Sequence, residues 1–428
     1  MAEGEKFTFR SEAGDEQTIN KADLIAVIPA STGLSSTILY ADYKEADPAV
    51  PPSVVFKEGS PFIATERPSL TTAHETHIII STGSGKKEAE NFYKDSLTPV
   101  LEALFPASHD SFHVHRTESE SSILQLTQDV FFPKANADIS LRIILLSGDG
   151  GIVDLVNGIL SQPSSLNYVP PQVILLPLGT ANALYHSINA GKDNTWGLRA
   201  LETNQYKPLP TFTASFSSGA RLLVDEARKE EELPKHIHTG APVLHGAVVA
   251  SWGMHASLVA DSDSSEYRKF GIDRFKMAAK EALYPADGSP PHPYKAQVSI
   301  LKGDDWRLVE EEEHMYVLAT LVSNLEKTFT ISPSSKPLDG SLHLVHFGPT
   351  SGDEAMRIMG LAYQGGKHVE DPAVRYESIE GLRIQFDGRE DDERWRRICI
   401  DGKIVRVEKD GWVEVRKQTK RVLDVVSL

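Results

Sequence analysis

From His77 onward, short apolar runs alternate with longer segments whose apolar residues recur every three or four positions. His77–Ser81 (HIIIS), Leu141–Ser147 (LRIILLS) and Pro171–Gly179 (PQVILLPLG) have the length and composition of buried strands, and Ser111–Thr117 (SFHVHRT) is a fourth candidate. Between them, Lys86–Phe105 sets Phe92, Tyr93, Leu97, Val100, Leu101 and Leu104 at helical spacing. Glu118–Phe131, Gly151–Leu160 and Thr180–Ile188 read as helices as well. Strand, turn and helix repeated four times predict a largely parallel, doubly wound sheet, whose ligands sit at the carboxyl ends of the strands.

The two flanks read differently. Residues 1–75 hold short β-like runs (KFTFR, LIAVIPA, TILYADY, SVVFK) separated by polar and Pro-rich turns, a small β appendage without visible chemistry. After Leu209 short strands dominate, from TFTASFSSGARLLV and GAVVASWGMHASLVA to RRICIDGKIVRV and WVEVRK. Strands at that spacing predict a β-sandwich. Ser264–Leu283 is its strong helix, and Glu226–Pro242 reads as a solvated loop. The expected division is 1–75, an α/β domain over 76–209, and a β-sandwich over 210–428.

At 428 residues the chain exceeds one core. Sixty acidic against 44 basic residues, net −16, argue against broad binding of nucleic acid. Cys399 is the lone cysteine, so intramolecular disulfides and Cys-rich zinc sites are excluded and a reducing compartment is expected. The acidic N-terminus is unlike a signal peptide, and no apolar run approaches the length of a membrane span. The reading is a cytoplasmic protein.

Candidate chemistry lies in the turns. Ser147-Gly148-Asp149-Gly150-Gly151 strips side chains away so that backbone N–H groups can approach an oxyanion, with a helix N-terminus behind them. A carboxylate repels phosphate, so Asp149 needs another role: general base, Mg²⁺ partner, or helix cap. Ser81-Thr82-Gly83-Ser84-Gly85-Lys86 and Gly179-Thr180-Ala181-Asn182 are further glycine turns at strand ends. None matches the Walker or dinucleotide pattern.

Together, ISTGSGKKEAE, RTESES, SGDGGIVDLVNG and PLGTANAL resemble the diacylglycerol kinase catalytic domain superfamily. SWGMHASLVADSDSSEYRKFGIDRFKMAA resembles its sphingosine kinase branch, and KPLDGSLHLVHF, GGKHVEDPAVRYESIEGLRIQF and IDGKIVRVE continue the likeness, which covers roughly 76–428. The resemblance implies an ATP- and Mg²⁺-dependent lipid kinase with Asp149 as the base that deprotonates a primary hydroxyl. It implies a nucleotide lined by Ser81, Thr82, Gly83, Gly85, Lys86, Thr117, Glu118, Ser121, Ser147, Gly148, Gly150, Gly179, Thr180 and Asn182. Arg268 and Arg274 would contact phosphate, and Asp401 and Gly402 would lie near the nucleotide, with Asp401 also at the metal. Ser147, Gly150 and either Asp261 or Asp263 would meet the acceptor. Counting back from Arg268 favours Asp261, whereas the local DxD pattern favours Asp263.

Departures are visible too. Ser81 replaces an asparagine, Ala181 a glycine, Asp154 a glutamate, and Lys403 the acid of a late DGE. The expected activity is phosphotransfer to a sphingoid base, with diacylglycerol or ceramide as other acceptors and transient contact with a membrane surface. A non-catalytic lipid-binding relative and a soluble-substrate kinase are the competing readings.

Overall fold

In the computed structural model, which describes residues 5–30, 35–43, 50–62, 74–108, 111–189 and 191–428, the α/β unit forms around a six-stranded sheet. In spatial order its strands are Tyr206–Pro208, Asp424–Val426, Gln172–Pro177, Leu141–Ser147, Glu75–Ile80 and His113–Arg116. All pair in parallel except Tyr206–Pro208. The first strand, Glu75–Ile80, lies between the second and the third, so the connections leaving it and Leu141–Ser147 diverge there. That is the switch point at which open α/β sheets place ligands.

Helices cover both faces. The helix Asp149–Leu160 buries Ile152, Val153, Leu155, Val156 and Ile159 with Ile143 and Leu145 of the sheet. On the other face Phe92, Leu97, Val100 and Leu101 pack with Ile78, Ile80, Ile144 and Leu146. Their helix runs from Ala89–Phe92 through a π-helical stretch, Tyr93–Leu97, into Thr98–Leu104.

Most strands after residue 209 form two antiparallel sheets. One holds six strands, with Thr211–Phe216, Trp412–Gln418 and Gly381–Gln385 at its centre. The other holds eight, centred on Arg397–Ile400, Val249–Gly253 and Tyr316–Thr320. Phe212, Val298 and Val415 of the first share one buried core with Trp252, Val317 and Val345 of the second, which is the sandwich arrangement.

The N-terminal region is a five-stranded antiparallel sheet, ordered Glu16–Asn20, Lys6–Ser11, Ser53–Pro61, Ser36–Asp42, Leu24–Pro29. Ile25, Ala26 and Leu39 join the apolar cluster of the α/β unit.

Several expectations are corrected. Asp424–Val426, which the sequence reading placed in the sandwich, pairs with Gln172 and Val173 and closes the parallel sheet. The run Gly246–Ala260 is not one strand: Gly253 adopts φ +80, where a Cβ would meet the Met315 carbonyl at 2.6 Å, and the chain turns into a helix, Met254–Asp261. The helix expected over 264–283 is broken into Ser265–Arg268 and Asp273–Leu283, with Gly271 at φ +56 between them. Part of the expected loop 226–242 is a hairpin strand, Lys229–Glu232, fully exposed and paired with Arg221–Val224. Gly352–Ala362 is a further helix, capped by Ser351.

Candidate active site

The turns at the strand ends interlock through hydroxyl-to-backbone bonds and one close backbone contact. Thr82 N–H donates to Thr117 Oγ1 (3.0 Å), and Thr82 Oγ1 donates to the Thr117 carbonyl (2.7 Å). Gly148 N–H donates to Ser84 Oγ (3.2 Å). Gly148 and Gly179 touch so closely that a Cβ on Gly179 would lie 2.3 Å from Gly148 Cα. Only glycine fits that contact.

Asn182 holds the last turn together. Its Oδ1 accepts from Gly179 N–H (2.9 Å), and its Nδ2 donates to the carbonyls of Pro177 (3.2 Å) and Gly179 (3.1 Å). It sits at φ +53, a conformation asparagine tolerates better than most residues. The amide expected to bind nucleotide is therefore committed to shaping the turn.

Asp149 opens its own helix but points across to the next one. Oδ2 accepts from Ala183 N–H (2.7 Å) and Oδ1 from Leu184 N–H (2.9 Å), at the start of the helix Ala183–Asn189. Burial raises its pKa, and the two N–H bonds oppose that shift. Each carboxylate oxygen keeps a lone pair beyond the one spent on the helix.

Asp149 also lines a cavity of about 300 Å³ between the two halves of the molecule. Met254, Leu258, Phe275, Ala279, Leu283 and Met359 make that cavity strongly apolar, and Asp263, Arg274 and Asp401 also line it. His255, half-buried in its wall, is held near pKa 4 by desolvation and is neutral at physiological pH. A second cavity of about 520 Å³ borders the other side of the turns, against Gly85, Lys86, Gly179, Thr180 and Asn182. Ala181 and Glu326 line both.

Asp401 sits in a nest of backbone donors: Ala247 N–H (2.6 Å), Val248 N–H (3.1 Å) and Val249 N–H (2.5 Å). Burial is the main cause of a pKa pushed up to about 7, and the charge of Asp149 adds to it.

The arginines do not stand free. Arg268 donates from Nε (3.1 Å) and Nη2 (2.9 Å) to Asp263, and Arg274 Nη1 reaches the same carboxylate (3.3 Å). Arg268 also approaches Glu120 (3.7 Å) across the cleft. Asp261 faces elsewhere, paired with Arg394 Nη2 (2.9 Å) and Arg397 Nη2 (2.8 Å), and it lines a different cavity. The 300 Å³ cavity therefore has Asp263 and not Asp261 in its wall. Glu118, Ser121 and Gly150 are solvent-exposed on the rim, while Ser147 is buried beneath the turn.

Sequence reasoning missed the partner of Lys403. Its Nζ lies 2.9 Å from Oδ1 of the buried Asp154, joining the sandwich to the helix Asp149–Leu160. Both positions depart from the family pattern, and that shared departure was the available signal. Ser84 was missed too, although its hydroxyl ties the first turn to Gly148.

Residues 75–214 match the diacylglycerol kinase catalytic domain. Sphingosine kinase 1 of Homo sapiens is 22% identical over 339 residues, covering 72% of this chain and 81% of its own. Sphingosine kinase 1 of Arabidopsis thaliana is 20% identical over 369 residues, 79% of this chain and 70% of its own. In fold, the crystal structure of a diacylglycerol kinase from Bacillus anthracis str. Sterne superposes with a TM-score of 0.52 at 16% identity, covering 84% of this chain and 98% of that one.

Matched glycine turns on a parallel sheet, opening onto a β-rich partner, are those of an ATP-dependent lipid kinase. Residues 75–214 are a diacylglycerol kinase catalytic domain, and the chain is similar to sphingosine kinase 1 of Homo sapiens over 72% of its length.

Proposed function

We propose that the protein transfers the γ-phosphoryl group of ATP to the primary hydroxyl of a sphingoid base. The observation that carries this reading is the position of Asp149, at the point where the glycine turns open onto the 300 Å³ apolar cavity. A lipid chain fits among Met254, Leu258, Phe275 and Met359, and its hydroxyl end then meets Asp149. The free lone pairs of that carboxylate accept the hydroxyl proton as the oxygen attacks phosphorus.

The turns bind the triphosphate through backbone N–H groups, as the closeness of Gly148 and Gly179 allows. Arg268 and Arg274 then trade part of their pairing with Asp263 for phosphate oxygens, which frees Asp263 for the ammonium of a sphingoid base. A neutral diacylglycerol would leave Asp263 without that partner.

Among the described residues no set of three or more metal-ligating side chains converges. Asp149 and Asp401, two carboxylates in the wall of the same cavity, would hold Mg²⁺ together with the nucleotide phosphates. Mg²⁺ would supply charge neutralisation at the phosphate oxygens.

Cytoplasmic residence with transient contact at a membrane surface accords with this acceptor. No helix among the described residues is long and apolar enough to cross a membrane.

Radiolabelled ATP incubated with a panel of sphingosine, ceramide and diacylglycerol tests the reading. Label on sphingosine in excess over the others is expected. Label on diacylglycerol alone would move the acceptor assignment, and retained lipid binding without any labelled lipid would favour the non-catalytic reading.

A further inference from the structure

At the amino-terminal ends of the parallel strands, remote from the glycine turns, lies another cavity, of about 360 Å³. Strand Leu141–Ser147 begins there, and the alternation that buries Ile144 and Leu146 on one face puts Arg142 on that same face. The pattern calls for an apolar residue, yet a guanidinium stands there, only 5% exposed. Its Nη2 donates to Gln172 Oε1 and Asn204 Oδ1, each at 2.9 Å. Its Nε has no acceptor, and among the described residues no carboxylate pairs with it. Two neutral amides do not restore what a buried guanidinium loses in hydration. Burial lowers its pKa accordingly.

The surroundings point to a ligand. His74, in the same wall, has a buried Nδ1 without a partner, and burial together with the charge of Arg142 keeps its ring neutral. Glu75, the carboxylate in the wall, is already engaged by Lys134 Nζ (2.5 Å), His77 Nε2 (3.0 Å) and His113 Nε2 (3.6 Å). The rest of the wall is mixed: Thr76, Ser108 and Ser111 are polar, and Ile144, Ile174 and Leu201 form an apolar part beside the edge-to-face pair Phe105–Phe112.

We propose that this cavity binds a small oxyanion, a carboxylate or phosphate borne on an apolar body, with Arg142 as its counter-charge. The anion pairs with the guanidinium, His74 donates to it, and the apolar body lies on Ile144, Ile174 and Phe112. The site is independent of the kinase reading, being formed at the opposite ends of the same strands.

The full chain is titrated with benzoate and, separately, inorganic phosphate, following Tm and heat of binding, alongside Arg142→Gln and Arg142→Lys. Saturable binding of at least one probe is expected, weakened ~10-fold or more in Arg142→Gln and less in Arg142→Lys. Methyl-selective NMR of the unmodified chain supplies a reading that does not depend on Arg142→Gln folding: saturation of the Ile144 and Ile174 methyls should transfer to bound benzoate. Benzoate binding identifies the carboxylate class and phosphate binding alone the phosphate class. Absence of saturable binding by either probe, equal binding by Arg142→Gln, or benzoate bound without transfer from those methyls overturns the proposal.

Discussion

On the α/β side of the cleft, the turns after four strands are tied by hydroxyl-to-backbone bonds, Thr82–Thr117 and Ser84–Gly148, and by the direct backbone contact of Gly148 with Gly179. On the β-rich side, the cavity wall is assembled from side chains of Met254–Asp261, Asp273–Leu283, Gly352–Ala362 and the strands, and its charges are paired among themselves. In the proposed reading the first wall meets what every ATP presents, and fixed N–H groups suffice for that. The second, in the same reading, follows the shape of an acceptor, a task for side chains. Substitutions on the first wall should damage nucleotide binding and folding together, and those on the second should separate them.

Gly179→Ala tests the first wall with the largest effect. A Cβ 2.3 Å from Gly148 Cα forces the turns apart, with an expected loss of about 3 kcal/mol of stability. ATP affinity should fall in parallel, as read by thermal unfolding and a fluorescent ATP analogue. Lys403→Glu comes next, at the joint between the walls. It sets a carboxylate beside the buried Asp154 instead of an ammonium, at an expected cost of about 2–4 kcal/mol, measured by denaturant unfolding. Restoring the family's acid at that one position therefore weakens this chain.

Ala279→Trp fills the acceptor cavity from a half-buried position. The KM for lipid should rise ~10-fold or more with the KM for ATP unchanged. Equal changes in both would dissolve the distinction between the walls.

The smallest effect lies outside the cleft. Burial pushes Glu202 up to about 7, against the N–H bond it receives from Val27 of the N-terminal sheet. A carboxyl with a raised folded pKa binds its proton more tightly when folded, so stability falls as pH rises from about 4.5 to about 7. Glu202→Gln should flatten that slope in Tm against pH, by about 1–2 kcal/mol across the window.

The same contrast explains what could be read from sequence. The glycine turns are contiguous and follow uniformly apolar strands, so Ser147–Gly151 and Gly179–Asn182 declare themselves locally. Asp261 and Asp263 are two positions apart in one DSD, and what separates them is Arg394, 133 positions later. No local pattern carries that pairing. Lys403 likewise meets Asp154 only once the sandwich closes on the helix. In the fold, the exposed Lys229–Glu232 reads as loop because its four charges earn no burial and its order comes from pairing with Arg221–Val224. Gly352–Ala362 does bury Ala355, Ile358 and Ala362 at helical spacing. Two glycines and a surrounding run of strands masked that period. The return of Asp424–Val426 to the first sheet depends on a register far from it in sequence.

The most direct test is Asp149→Asn, assayed for ATP binding and for phosphate transfer to sphingosine in the same preparation. An asparagine keeps one acceptor for the Ala183 and Leu184 N–H groups and turns a donor toward the other, so a modest fall in Tm is expected. ATP binding should persist, and turnover should drop ~1000-fold or more if the carboxylate takes the hydroxyl proton. Turnover within a few-fold of the parent would contradict the account and leave Asp149 a helix cap.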